Sequence, residues 1–479
     1  MSKRSISILF CVILAIRILT LTIIPLTDDT EARYGIVVRD MANSGDWITP
    51  RVWIDGKQIP YLSKPPLHFW AAALSTHLFG MNEFALRFPS FLGAVCLVTL
   101  MIIVLRRYVD KDLAHPAALI LSSCILFFIL AGAVVVDMSL AFSVMGAILS
   151  YQAFLTERPK VRKGLWSLCV FIFLGLGFLT KGPIAVVMFG IPVFLWTLVH
   201  KRWATLKDHG WCTGILVFLV LTLPWFWLAE NRNPGFLRYF FLNENLLRFI
   251  THRYGDLYGS GRTQPYGAAA VMLFLAGLPW TLWCAILLFR KHRWKWLFSF
   301  FRDERTSLFT FGLFGITLFL CLARQLVMPY VLPILPFFAI WGAILMRKSG
   351  MNKAAVMRFS VTLIILYGIA HPFALPLVEK KFSTRDIVKL ARDKVNYLGL
   401  NGGLIFVPNV PYSAYFYGQD LIIPHEKEDA EIIILQGLNS GKDHLYAVNR
   451  KFLPEIPSQI LDKLKPICVF GDWMLYRPE

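Results

Sequence analysis

Between Thr27 and Trp70 the chain reads TDDTEARYGIVVRDMANSGDWITPRVWIDGKQIPYLSKPPLHFW, and many of the groups able to do chemistry are gathered there. The carboxylates of Asp28, Asp29 and Glu31 precede Arg33 and Tyr34, and Lys64 follows in the same stretch. A lysine directly before Pro65-Pro66 is kept extended, because a proline ring disfavours helical backbone in the residue before it. An ammonium on a stiff ribbon beside fixed carboxylates suits a phosphorylated substrate. Further along, Asp137, Lys181, Arg248 and Arg324 are isolated charges beside apolar runs, with Tyr330 at a helix mouth.

These side chains need elements to hold them. Residues 30–43 predict a short helix: Tyr34, Val37, Val38 and Met41 recur at helical spacing while Arg33, Asp40 and Asn43 face away, the pattern of a helix lying along a membrane surface. Asp28 stands three residues before Glu31, the spacing of a capping box with Asp28 as the cap, and helix capping is the structural alternative to a chemical role for Asp28. Structural roles compete elsewhere too. Asp137 reads as a cap for a helix from Met138, Lys181 as the anchor of a helix end and Arg248 as part of a solvated face.

The larger frame is a bilayer. With 479 residues, 56% of them hydrophobic and only 16% charged, and a mean hydropathy of +0.57, the chain is a polytopic helical membrane protein. The net charge of +19 does not point to nucleic acid, because the basic residues come in short clusters between apolar runs. Residues 6–26 read as a retained signal anchor, and residues 66–80 as a short re-entrant or interfacial helix. Spans are expected at 84–105, 113–131, 138–155, 165–180, 183–199, 211–229, 266–289, 307–323, 328–346 and 355–376, for about 11 to 13 membrane helices in all. With the N-terminus inside, the basic clusters at 106–111, 158–163, 201–207, 290–295 and 347–353 all fall in inside loops. The opening stretch, Asp137, Lys181, Arg248 and Arg324 then lie outside.

Two domains are expected: a membrane domain over residues 1–379, with an outer-face catalytic loop at 27–83, and a small extracytoplasmic α/β domain over 380–479. In the tail, residues 384–396 and 458–464 predict helices, and 404–407, 431–435, 444–448 and 467–470 predict strands. No CxxC pair, Gly-rich phosphate loop, Ser/His/Asp order or H-E-x-x-H pattern is present.

Charges of both signs at one bilayer surface imply a charged ligand there. The implied site is a cavity at the outer leaflet, with Lys64, Lys181, Arg248 or Arg33 clamping a phosphate and a carboxylate near the sugar or acceptor. A transporter or flippase of lipid-linked sugars is the competing class, and the lack of an internal repeat with paired broken helices counts against it.

The motifs also carry a family resemblance. DxTEARYxxxxRxMxxSGDWxxP at 28–50, YLSKPPLHFW at 61–70, NEFALRFPS at 82–90, VDMSLAF at 136–142, LTKGP at 179–183 and MPYVLPILPFFAI at 328–340 resemble the GT-C glycosyltransferases. Within them the chain is similar to the branch of the bacterial lipid A aminoarabinose transferases and the protein O-mannosyltransferases. The resemblance covers about the first 350 residues, and SAYFYGQD at 413–420 shares it. It implies an inverting hexosyl- or pentosyltransferase in the bacterial inner membrane, with its active site facing the periplasm. The implied donor is a sugar on polyprenyl (undecaprenyl) phosphate, and the acceptor is lipid A, another envelope glycolipid or a protein.

By the same resemblance the first-loop acid maps to Asp28 or Asp29, with Glu31 also a candidate and Asp28 preferred. The Arg-Tyr pair maps to Arg33 and Tyr34, the KP lysine to Lys64, the second acid to Asp137, the TKGP lysine to Lys181, the outer-loop arginine to Arg248 and the PY tyrosine to Tyr330. Where the aminoarabinose transferases hold a metal with an E-K-P glutamate and an E-E-H histidine, this chain has Ser63 and Asn245. No metal site and no cofactor is therefore expected.

Overall fold

The computed structural model describes residues 17–251, 258, 262–289 and 296–479. Most of the expected signal anchor and the basic cluster at 290–295 lie outside the described residues. The chain is a predominantly helical, polytopic membrane protein. Among the described residues six helices are long and apolar enough to cross a bilayer, or up to eight if each of two bent pairs is one span.

The smaller count than the sequence implies comes largely from breaks. The expected span at 266–289 is instead Ala268–Ala276 and Trp280–Phe289, bent by 108°. Gly277 and Pro279 flank the bend, and proline offers no amide hydrogen to continue a helix. The expected span at 113–131 is likewise split at Cys124 into Lys111–Ser123 and Ile125–Leu130. The two breaks satisfy each other, since the Ile125 amide donates to the Leu278 carbonyl at 3.2 Å.

The chain divides into two compact units. One holds residues 62–71 and 87–367, and the other residues 1–61, 72–86 and 368–479.

The first of these is built around the helix Val136–Thr156, of whose most apolar stretch 83% is buried. It packs on Lys160–Lys181 through small residues: a Cβ on Gly146 would lie 2.5 Å from the Phe173 ring, and one on Gly177 would lie 3.2 Å from Ser143 Cβ. That close crossing brings the first turn of one helix beside the last turn of the other, and so Asp137 beside Lys181. At Gly182 the backbone adopts φ +72, a conformation open to glycine, before Ile184–His200 begins. The KGP sequence is therefore a break between two helices.

In the second unit the helix Thr30–Ser44 matches its expected extent and ends on Gly45 in the left-handed region, φ +71. The hairpin of β1 (Arg51–Ile54) and β2 (Lys57–Pro60) turns at Asp55-Gly56, both with positive φ, the chemistry favoured by tight hairpins. The tail forms a four-stranded sheet from β3 (Leu404–Val407), β4 (Leu445–Asn449), β5 (Leu464–Phe470) and β6 (Trp473–Pro478), in spatial order β3-β4-β6-β5. Only β3 and β4 are parallel, and the helix Ala430–Asn439 connects them. The strand expected at 431–435 is thus a helix. Its buried residues Ala430, Ile433, Ile434 and Gly437 follow the helical period, and a parallel pair requires a crossover.

Candidate functional site

The unit around Val136–Thr156 contains a cavity of about 90 Å³. Lys64, Lys181, Arg248 and Tyr330, four of the residues singled out by sequence, line it together with Ser63, Glu244, Asn245 and Gln325. Its remaining walls are apolar and include Leu140, Met188, Phe249 and Leu320.

Each cation is held by a carboxylate. Lys181 Nζ donates to Asp137 Oδ1 at 2.6 Å and lies 3.6 Å from the centroid of the Tyr330 ring, so ion pair and aromatic face fix the ammonium between them. Asp137 does not cap its helix as expected: the cap position is Val135, and the carboxylate is taken by Lys181.

Lys64 and Arg248 share Glu244, which sequence reasoning missed. Glu244 Oε1 accepts from Lys64 Nζ, from Arg248 at 2.8 Å and from the Ser63 hydroxyl at 2.8 Å. The carboxylate is buried, and its second oxygen has no hydrogen-bond partner among the described residues. Burial opposes its charge, but Lys64 and Arg248 outweigh burial and hold the carboxyl below the usual range. The sequence signal was an acid four residues before Arg248 on one helical face. The segment is π-helical from Tyr239 to Leu247, a geometry frequent at functional sites. Arg324 does not line this cavity; its guanidinium sits 4.2 Å over the Tyr266 ring.

In the other unit, Asp28 takes a role that the capping reading did not foresee. Asp29, with no side-chain cap hydrogen bond, is the cap of Thr30–Ser44. Asp28 instead accepts from the backbone amide of Ser413 at 2.7 Å and from its hydroxyl. Glu31 turns back to Thr27, accepting from its amide at 3.2 Å and its hydroxyl at 3.0 Å. The helix packs closely at Gly35, where a Cβ would lie 2.9 Å from Leu26 and 3.1 Å from Phe416. Burial, which outweighs the two bonds from Ser413, pushes the Asp28 carboxyl up to about 6. Asp29 is exposed, and the two aspartates line a common depression with Tyr412 and Trp473. Arg33 lies 5.7 Å from the ring centroids of both Tyr34 and Tyr412, so its charge is spent on aromatic faces within this unit.

The structure of ArnT from Cupriavidus metallidurans bound to undecaprenyl phosphate aligns over 100% of this chain and 98% of that one, at a TM-score of 0.75 and 17% identity. The chain shares the fold of that ArnT structure. The archaeal oligosaccharyltransferase AglB from Archaeoglobus fulgidus aligns more loosely, at a TM-score of 0.52 and 12% identity, over 94% of this chain and 70% of that one. Residues 63–227 match the family described as dolichyl-phosphate-mannose-protein mannosyltransferase. Two relatives named undecaprenyl phosphate-alpha-4-amino-4-deoxy-L-arabinose arabinosyl transferase 2 come from Sodalis glossinidius and Pseudomonas fluorescens. The first is 29% identical over 75% of this chain and 62% of the relative. The second is 25% identical over 73% of this chain and 61% of the relative. The chain thus spans about three-fifths of the length of these relatives.

The resemblance raises the question of a metal, and the two positions it compares, Ser63 and Asn245, are engaged otherwise. Ser63, where the resemblance expects a glutamate, donates to Glu244, and Asn245, in place of the histidine, donates to the Phe240 carbonyl at 2.7 Å. Among the described residues no group of three His, Cys, Asp or Glu side chains is placed to hold a metal ion.

Proposed function

We propose that this protein is an inverting glycosyltransferase that takes a sugar from a polyprenyl phosphate and passes it to an envelope glycolipid at the periplasmic face of the bacterial inner membrane. The carrying observation is the cavity in which Lys64, Lys181 and Arg248 converge among apolar walls. Cations inside an apolar lining suit an amphiphile with an anionic head. The names of the relatives, arabinosyl transferases acting with undecaprenyl phosphate, support the same donor class. The sorting of basic clusters along the sequence supports the periplasmic orientation.

In this reading the acceptor oxygen bonds to the anomeric carbon while the bond from that carbon to the phosphate oxygen breaks, and the electron pair leaves with polyprenyl phosphate. Charge grows on the phosphate as the bond breaks, so Lys64, Arg248 and Lys181 stabilise the transition state more than the bound donor. Asp28, the first-loop acid preferred from the sequence, is in this reading the general base that takes the proton of an acceptor hydroxyl, with its carboxyl pushed up to about 6 by burial. Asp29 and Glu31 are the alternative acids of the loop. Tyr330 and Asp137 fix the Lys181 ammonium, and Arg33 and Tyr34 brace the first-loop helix against Tyr412 and Tyr61. The domain division expected from sequence, at residue 380, remains part of this proposal.

Purified protein in detergent, given radiolabelled sugar on polyprenyl phosphate and envelope lipids, is expected to release polyprenyl phosphate and label a lipid. Movement of the intact lipid-linked sugar across sealed vesicles, with no transfer in any preparation, would overturn the enzyme reading in favour of a flippase.

A further inference from the structure

The unit formed by residues 1–61, 72–86 and 368–479 carries two adjoining cavities of about 220 and 350 Å³. Asn409, Val410 and Tyr412 line both, so the two form one groove. At one end stand Trp53 and Asp55 of the hairpin, and at the other Asp29 and Trp473. The groove is preformed. Trp53 stacks on Tyr415 with centroids 5.1 Å apart and planes 7° apart, Lys57 pairs with Glu426 at 2.6 Å, and a Cβ on Gly56 would lie 2.4 Å from the His425 carbonyl oxygen. The hairpin tip is thereby locked against the tail, and the cost of ordering the groove is met before any ligand arrives.

The lining matches one ligand class. Aromatic faces accept the C–H faces of sugar rings, while amides and carboxylates pair with vicinal hydroxyls. Along the groove Lys380, Lys381 and Lys427 are set against Asp28, Asp29, Asp55 and Asp472, so the acids outnumber the lysines, which disfavours a dedicated anion site. We propose that this groove binds a saccharide chain of at least two sugar rings, the glycan of the acceptor. The saccharide class follows from the groove alone, and the word acceptor rests on the transferase reading above.

The test uses the full-length protein in detergent micelles, with an array of oligosaccharides of about two to six sugars, their monosaccharides and a set of Ser/Thr peptides as probes. Saturation-transfer NMR and calorimetry are expected to detect oligosaccharides, with the monosaccharides at least about tenfold weaker. Asn409→Ala and Trp473→Leu should each weaken that binding about tenfold and leave the affinity for polyprenyl phosphate unchanged. If Trp473→Leu fails to fold, Asn409→Ala, at an exposed side chain, carries the test. Absence of oligosaccharide binding, binding unaffected by Asn409→Ala, or preferential binding of the peptides would each overturn the proposal. Saccharide binding without any sugar transfer would sink the transferase reading and leave the groove standing.

Discussion

Glu244→Gln separates two tasks that the buried carboxylate could perform. Glu244 neutralises Lys64 and Arg248 within contact distance, and two charges about 4 Å apart near a protein surface interact with about 4 kcal/mol. Glutamine keeps one carbonyl for the same donors, so the net loss in the ligand-free protein is expected near 2–3 kcal/mol, which lowers the melting temperature by a few degrees. The donor phosphate then supplies the missing negative charge. If Glu244 acts as a resident anion that shares its cations with the phosphate, Glu244→Gln binds polyprenyl phosphate about 10- to 100-fold more tightly. Its melting deficit closes when that lipid is added, and turnover slows because the product leaves slowly. Calorimetry with polyprenyl phosphate, melting curves with and without it, and the split between kcat and KM measure all three. Weaker lipid binding in Glu244→Gln would refute the resident-anion reasoning and leave the carboxylate as a bracket that aims the two cations.

Three further outcomes are expected. With a hydroxyl acceptor the rate should rise with pH through about 6, because Asp28 serves as base only once its raised carboxyl has lost its proton, and Asp28→Asn should abolish that limb with a loss of about 10²- to 10⁴-fold; Ser413→Ala removes a bond that favours the carboxylate and should move the limb to higher pH, and an unmoved limb would assign it to another group. Lys181→Ala should lower kcat by about 10²- to 10³-fold with little change in donor affinity, and a change confined to KM would mean that Lys181 only holds the donor. A reporter active only outside the cytoplasm should give signal when fused after His371 and none after Lys207, and the reverse would invert the site.

The sequence carried the cations further than their partners. Lys64, Lys181, Arg248 and Tyr330 were legible because isolated polar groups beside apolar runs are costly and therefore conspicuous. Glu244 was not, since an acid four residues before an arginine reads equally as a solvated helical pair. Asp28 was seen but given the wrong partner: its spacing to Glu31 matches a capping box, and the competing Ser413 donors lie far away in sequence. The first-loop helix was readable to within a residue of its end from its apolar period. The run EIIIL was not, because a short apolar stretch fits strand or helix alike until the parallel pairing of β3 and β4 demands a crossover. Composition fixed the membrane class, whereas the breaks at Cys124 and Gly277 depend on two segments bonding to each other.

Charge balance in the membrane unit's cavity bears on what the donor can be. Lys64 and Arg248 share Glu244, and Lys181 has Asp137, so three cations face two carboxylates with one positive charge in excess. A sugar phosphodiester carries one negative charge and neutralises that excess on binding. A diphosphate-linked sugar carries a second charge, which the apolar walls cannot solvate and which no further lining cation among the described residues meets. The cavity is therefore expected to prefer a polyprenyl monophosphate-linked sugar over its diphosphate counterpart by at least about tenfold in kcat/KM. Glu244→Gln raises the excess to two positive charges and should narrow that preference. Competition between the two donors in one reaction, read by mass spectrometry, measures the ratio directly. A wild-type preference for the diphosphate, or a ratio unmoved by Glu244→Gln, would show that fit of the sugar and lipid selects the donor and that charge does not.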